Sequence, residues 1–173
     1  MHDNQRQTAL WPYLAGLIDG EGSFGIMKTS VDKISKSSRS KTTRYMAVFS
    51  IGMVDREPID LIIEAINSGK VYEERVPNRR SMWRIRTAGR FILIPFIQKL
   101  LPYLIVKRKR AELLLEFLNN WETPGNIKGI RMLVSDKELL RREEAFLKMR
   151  KLNAVGVAAT TEPNGYREIE ATV

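Results

Sequence analysis

The 173-residue sequence predicts an α+β fold: an αββαββα core, one four-stranded antiparallel sheet, and extra helices toward the C-terminus. Three observations carry this. Segments alternating apolar and polar residues come in adjacent pairs, each joined by turn-forming residues. Segments with helical spacing stand before, between and after those pairs. No Pro/Gly/Ser-rich linker splits the chain into two apolar halves, so residues 1–173 read as a single domain. Residues 1–7 read as a flexible N-terminus and 153–173 as a C-terminal loop or tail.

The first helix is predicted over Thr8–Asp19: Thr8 can cap it, Pro12 is tolerated in a first turn, and Leu10, Tyr13, Leu14, Leu17 and Ile18 form an apolar stripe. Gly20 and Gly22 flank Glu21 and suit the positive φ of a helix stop. Strands follow over Ser23–Thr29 and Arg44–Met53, where Phe24 and Ile26, then Tyr45, Ala47, Phe49 and Ile51, alternate with polar neighbours. Ser30–Thr43 between them, rich in Ser, Lys, Arg and Thr, reads as a long, basic, flexible hairpin tip.

A second helix from Pro58 to about Asn67 carries Ile59, Ile62, Ile63 and Ile66, and Ser68-Gly69 stops it. The next two strands are predicted near Lys70–Arg75 and Met82–Thr87, with Pro77-Asn78 supplying the turn. Helices over Gly89–Leu101, interrupted around Pro95 and Pro102, then Val106–Trp121 and Val134–Leu152, complete the order. Such an order covers one face of the sheet with helices and leaves the other open.

Composition narrows the function. A formal charge of +9 and a pI near 9.9 favour a polyanionic partner, nucleic acid first; a merely basic structural protein is the alternative that charge alone leaves open. There is no cysteine, and the single histidine is His2. Thiolate zinc sites and cysteine nucleophiles are thereby excluded, and a lone histidine in a terminus expected to fray argues against imidazole chemistry, leaving carboxylates, lysines, water or metal for any catalysis. The N-terminal segment lacks the apolar run of a secretory signal and no stretch reaches the length of a membrane span, so an intracellular location is expected, in a bacterial cytoplasm or an organelle.

The open face concentrates the charge. Alternation that turns Phe49 and Ile51 inward turns Arg44, Met46, Val48 and Ser50 outward, and with Trp83 and Ile85 inward Arg84 and Arg86 face out. A two-stranded ribbon with such a face fits a major groove; a solvated sheet face with scattered arginines is the other reading.

The nine residues Leu14-Ala15-Gly16-Leu17-Ile18-Asp19-Gly20-Glu21-Gly22 resemble the signature of the LAGLIDADG homing endonucleases, departing from it only at Gly20 (Ala) and Glu21 (Asp). The resemblance is to the small single-motif homodimeric members and extends over nearly the whole chain. Gly16 and Gly20 share one helical face on which a second helix can approach closely, so Leu14, Gly16, Leu17 and Gly20 are expected at a dimer interface. Two-fold pairing would bring two Glu21 carboxylates together at helix C-termini, an arrangement that a divalent cation relieves. The implied metal ligands are Glu21 and the Gly20 carbonyl; hard oxygens suit Mg²⁺, with Mn²⁺ able to substitute. Asp19, one residue earlier, points elsewhere on the helix and is assigned a structural role.

Leu101-Pro102-Tyr103-Leu104-Ile105-Val106-Lys107 resembles the family stretch whose lysine enters the active site, which implies Lys107 as a catalytic residue beside Glu21. Any of Lys107, Arg108, Lys109 and Arg110 could instead bind phosphate. Where relatives carry a Gln at the end of the second strand and then an Arg, this chain has Met53 and Glu57, and Arg56 is near enough to substitute. By strand position the resemblance implies DNA contacts from Met27, Thr29, Lys33, Lys36, Arg39 and Lys41 in the first hairpin, and from Arg44, Met46, Val48 and Ser50 in its return strand. Lys70, Tyr72, Glu74, Arg84 and Arg86 follow in the second hairpin, then Lys109, and Thr160 in a segment, Asn153–Thr161, that is a backbone-contacting loop or a tail.

The implied activity is metal-dependent hydrolysis of both strands of a long pseudo-palindromic DNA site by a homodimer, in association with an intron or intein. An RNA-binding intron maturase or a cleavage-inactive DNA-binding regulator of the same fold is the alternative.

Overall fold

The computed structural model describes residues 2–34, 39–75, 77, 80–122, 126–127, 130–131 and 134–154. Helix α1 (His2–Glu21) leads into β1 (Gly22–Ile34) and β2 (Arg39–Met53); α2 (Glu57–Ile66) leads into β3 (Lys70–Glu74) and β4 (Met82–Ala88). Helices α3 (Arg90–Leu100) and α4 (Arg108–Asn119), a short ribbon β5 (Asn126–Ile127) and β6 (Ile130–Arg131), and α5 (Asp136–Ala154) follow. The α+β order is the predicted one. The main sheet is antiparallel in the order β1-β2-β4-β3, with β2 against β4 at its centre. The β5–β6 ribbon has no counterpart in the sequence reading, being too short to show alternation.

One face of the sheet is the core. Phe24, Ile26, Tyr45, Ala47, Phe49, Ile51 and Ile85 meet Leu14, Ala15 and Ile18 of α1, Ile59, Ile62 and Ile66 of α2, Leu93, Phe96 and Ile97 of α3, and Leu114 and Phe117 of α4. Phe49 anchors it, edge-on to Phe96 with ring centroids 5.2 Å apart and 5.4 Å from Phe24. Each fully buried side chain of this size contributes roughly 1.5–3 kcal/mol, so this face fixes which strand residues turn outward.

Several boundaries differ from the sequence reading, for identifiable reasons. Backbone helix extends from His2 through Thr8, which is no cap, because Asn4–Ala9 contains good helix formers and no breaker. Pro12 consequently lies in the helix interior, and α3 likewise runs through Pro95. Pairing in the first hairpin extends into the segment read as a loose tip, from Gly22↔Ile51 to Ile34↔Arg39, and residues 35–38 of that segment lie outside those described. Thr and Ser at its end suit a ladder. Helix α2 ends one residue earlier than Ser68-Gly69, on Asn67 in the left-handed region at φ 51°. Asn153 and Ala154 belong to α5. Of the turn at Pro77-Asn78, Pro77 is a turn residue and Asn78 lies outside the described residues, as does Thr160.

Helix α5 turns a mixed stripe inward: Glu138, Arg142, Ala145 and Met149. Glu138 and Arg142 are both about 5% exposed and meet at 2.6 Å, with Arg141 on the second carboxylate oxygen, also at 2.6 Å. Arg142 also stacks on Trp121 at 3.8 Å and donates to the Glu122 carbonyl. This ties the end of α4 to α5. Burial pushes the Glu138 carboxyl up, but Arg141 and Arg142 outweigh it and bring its pKa down to about 2. A depressed carboxylate contributes stability above its unfolded pKa, near 4.3, that is lost on acidification. Urea midpoints are therefore expected to fall from about pH 4.5 toward pH 2, and Glu138→Gln to flatten that slope while lowering stability at pH 7.

Candidate active site and nucleic-acid face

The signature helix ends against the sheet with no intervening turn: Glu21 is its last residue and Gly22 the first of β1. Neither Gly20 nor Gly22 has positive φ, contrary to the sequence reading. Gly22 is required by proximity instead, since a Cβ there would stand 2.8 Å from Ile18 Cγ2 and 2.9 Å from the Ile18 carbonyl oxygen. Around Gly16 and Gly20 a Cβ would meet nothing within 4 Å.

The predicted interface face of α1 is corrected in one member. Leu14 is fully buried in the chain's own core with Ala15 and Ile18, one turn-face away from Gly16. The face left open carries Tyr13, Gly16 and Gly20, with Leu17 half-buried at its margin.

At the end of α1 two charged groups change places with α4. The Lys107 ammonium donates to the carbonyls of Ile18 (2.8 Å), Asp19 (2.8 Å) and Gly20 (3.2 Å). These are last-turn carbonyls without an intrahelical partner, so a cation there is favoured by hydrogen bonding and by the helix dipole. The Asp19 carboxylate points the other way, accepting the backbone N–H groups of Ile105 (2.7 Å), Val106 (3.2 Å) and Lys107 (2.8 Å). Burial and Arg110 lower the Lys107 pKa, while Asp19 and Glu21 oppose the shift. Glu21 itself is exposed at the mouth of this arrangement.

The basic run at the start of α4 divides by role. Arg108 donates to the carbonyls of Leu104 and Pro102, and Arg110 to that of Leu152 near the end of α5 at 2.8 Å and 3.2 Å. Lys109 is exposed, with no side-chain partner among the described residues. These contacts escaped the sequence reading.

The open face of the sheet presents Thr29, Arg44, Met46, Lys70, Tyr72 and Arg86 as exposed side chains, with Met27, Ser50, Glu74 and Arg84 partly exposed. Arg84 is held by Glu74 at 2.6 Å, and Arg86 reaches across to the Met27 sulfur. That reach crosses the row Gly25↔Val48↔Ala88, and Val48, expected as a contact residue, is 6% exposed. It is a floor beneath longer side chains and is removed from the contact set. Lys33, Arg39 and Lys41 lie in the extended ladder of the first hairpin, and Lys36 falls outside the described residues.

Met53 and Arg56 do not build a polar pocket. Met53 packs against the core beside Trp83, and Arg56 lies over the Trp83 ring at 4.7 Å while pairing with Asp60 at 3.2 Å.

A family model described as LAGLIDADG endonuclease matches residues 14–122, from the first residue of the signature through α4. The chain belongs to the LAGLIDADG endonuclease family. No curated protein matches it. Among solved structures it is similar to the archaeal intron-encoded homing endonuclease I-Vdi141I complexed with DNA, at 22% identity and TM-score 0.63, covering 94% of this chain and 89% of that one. It is similar also to the homing endonuclease I-CvuI, crystallised with the I-CreI target and 2 mM Mg with the DNA not cleaved, at 18% identity and TM-score 0.58, covering 90% and 87%. A second I-CvuI structure, with its own target in 2 mM Ca, gives 22% identity and TM-score 0.56, covering 82% and 80%. At these identities the likeness is one of fold. The LAGLIDADG helix is therefore α1, and its terminal acid is Glu21.

Lys107→Met keeps the aliphatic stem and removes all three donors to α1. It is expected to lower unfolding stability by about 1–2 kcal/mol in urea at pH 7, a loss that Lys107→Arg partly restores.

Proposed function

We propose that this LAGLIDADG endonuclease-family chain is a site-specific DNA endonuclease that cuts both strands of a long pseudo-palindromic target as a homodimer, with a divalent cation, from an intron- or intein-associated reading frame. The observation that carries it is the placement of Glu21: exposed, at the end of a helix face bare of side chains at Gly16 and Gly20, beside the Lys107 ammonium and at the end of the arginine-bearing sheet face.

The donors present fit a hard divalent cation, Mg²⁺ foremost with Mn²⁺ as a substitute: a solvent-facing carboxylate and, next to it at the helix end, the second lone pair of the Gly20 carbonyl, whose other partner is the Lys107 ammonium at 3.2 Å. Among the described residues no three acidic, histidine or cysteine side chains cluster, so one chain does not form a complete cage. A second Glu21 across the dyad and DNA phosphate oxygens would complete the shell. Such a cation, when bound, activates water and stabilises the leaving 3′ oxygen.

The chain's own residues do the rest. Arg44, Lys70, Arg84 and Arg86 hold the duplex on the open face, and Met27, Met46 and Tyr72 offer apolar contacts to base edges. Lys107 places a fixed positive charge where negative charge accumulates on the phosphate. Its three donors are directed at carbonyls, so it acts through charge and placement. The open face of α1, with Tyr13, Gly16 and Gly20, is the surface on which the second copy would sit.

The deciding experiment uses duplex DNA carrying the sequence that flanks this reading frame. In Mg²⁺ the protein is expected to cut it, and Glu21→Gln to bind it with near wild-type affinity while cleaving at least about 100-fold more slowly, roughly 3 kcal/mol of transition-state stabilisation. Unchanged cutting by Glu21→Gln would sink the assignment. Sedimentation should give twice the chain mass, and Gly16→Leu, which fills the bare helix face, should shift it toward the monomer; a strict monomer with and without DNA contradicts the homodimer.

A further inference from the structure

We infer that Asp19 is a positioning residue: its carboxylate fixes the backbone of residues 105–107 and thereby aims the Lys107 ammonium at the helix end that carries Glu21. The function proposed above gives this its consequence for cleavage; the geometry stands without it.

Lys107 is gripped at both ends by one short stretch of α1. Its backbone N–H donates to Asp19 Oδ1 at 2.8 Å, and its Nζ donates to the carbonyls of Ile18, Asp19 and Gly20. Asp19 Oδ2 takes the two preceding amides, Ile105 at 2.7 Å and Val106 at 3.2 Å. Consecutive N–H groups converging on one carboxylate form an anion-holding concavity, filled here from within the chain. A long, flexible lysine is in this way restricted before any ligand arrives, so little of its rotamer freedom is left to lose when charge develops nearby.

The same contacts separate Asp19 from metal binding. Both its oxygens face the 105–107 backbone and Asp19 is half-buried, whereas Glu21 is exposed. Ile105 and Val106, 84% and 67% exposed, contribute nothing to the chain's own core; buried Leu104 anchors the segment on one side and α4 on the other. Between those anchors the Asp19 carboxylate is the group that holds the amides.

The test is Asp19→Asn, whose amide keeps the size but replaces one acceptor oxygen with a donor facing N–H groups. Single-turnover cleavage per folded molecule is expected to fall about 10- to 100-fold, with DNA affinity in Ca²⁺ within about twofold of wild type. Because Asp19 acts through Lys107, the double variant Asp19→Asn/Lys107→Met should cleave no more slowly than Lys107→Met alone. Additive losses, or wild-type cleavage per folded molecule by Asp19→Asn, would overturn the inference. A second readout needs no cleavage. The amides of Ile105, Val106 and Lys107 should be protected from hydrogen exchange in the wild-type protein and exchange faster in Asp19→Asn, while β2 and β4 stay unchanged. Unprotected amides in the wild type refute the inference without any variant, so a misfolded Asp19→Asn leaves it testable; absent cleavage with protected amides would refute the nuclease reading alone.

Discussion

The end of α1 is the constraint on which the rest of this structure depends. A helix that stops leaves carbonyls without partners, and the usual remedy is a left-handed residue that curls the chain back on itself. Here β1 begins on the residue after the helix, with neither Gly20 nor Gly22 at positive φ, so no such curl exists. The carbonyls of Ile18, Asp19 and Gly20 are satisfied from outside, by a lysine far along the chain. The helix thus ends properly only once α4 is in place, and Glu21 inherits its position from that long-range contact.

The constraint also explains the composition of the helix. Its inner face must be apolar and tightly seated, as Leu14, Ala15 and Ile18 are, because it sets the height at which β1 enters the sheet. At Gly22 that entry leaves no room for a Cβ against Ile18. The outer face is bare for a different reason: among the described residues, a Cβ added at Gly16 or Gly20 would meet nothing within 4 Å. One helix therefore carries a closely packed side and a smooth side, and Glu21 emerges where the smooth side meets the sheet.

Much of this was legible in the sequence. Period-2 alternation placed Phe24, Phe49, Ile51 and Ile85 inside and Arg84, Arg86 and Met46 outside, because one buried face fixes strand register. The nine-residue signature located Glu21. What was not legible depends on contacts across long separations. Helical spacing puts Leu14 on the apolar stripe with Ile18, yet it is also expected at the dimer face; that it is buried within the chain, and that outward-facing Val48 is covered, depends on tertiary packing rather than on periodicity. The Glu138–Arg142 pair reads in sequence as one more solvated charge pair, and only the packing of Trp121 beneath it turns it inward. The arms of the hairpin tip were misread because a basic, hydroxyl-rich segment resembles a loop until its two sides are seen to pair, from Ser30↔Thr43 to Ile34↔Arg39.

The distribution of charge sharpens what the net value of +9 means. Arg141 and Arg142 share one carboxylate, Glu138, while Lys28 is paired with Glu143, Arg56 with Asp60 and Arg84 with Glu74. Lys107, Arg108 and Arg110 are held instead by neutral carbonyls. A carbonyl orients a cation and contributes only a partial opposing charge, so most of the lysine and arginine potential remains in the field around the helix end. Glu21 and Asp19 stand within that field. The device that closes the helices also gathers fixed positive charge at one end of the open sheet face, and under the proposed function it is this charge that would draw a phosphate backbone to the helix end where Glu21 stands.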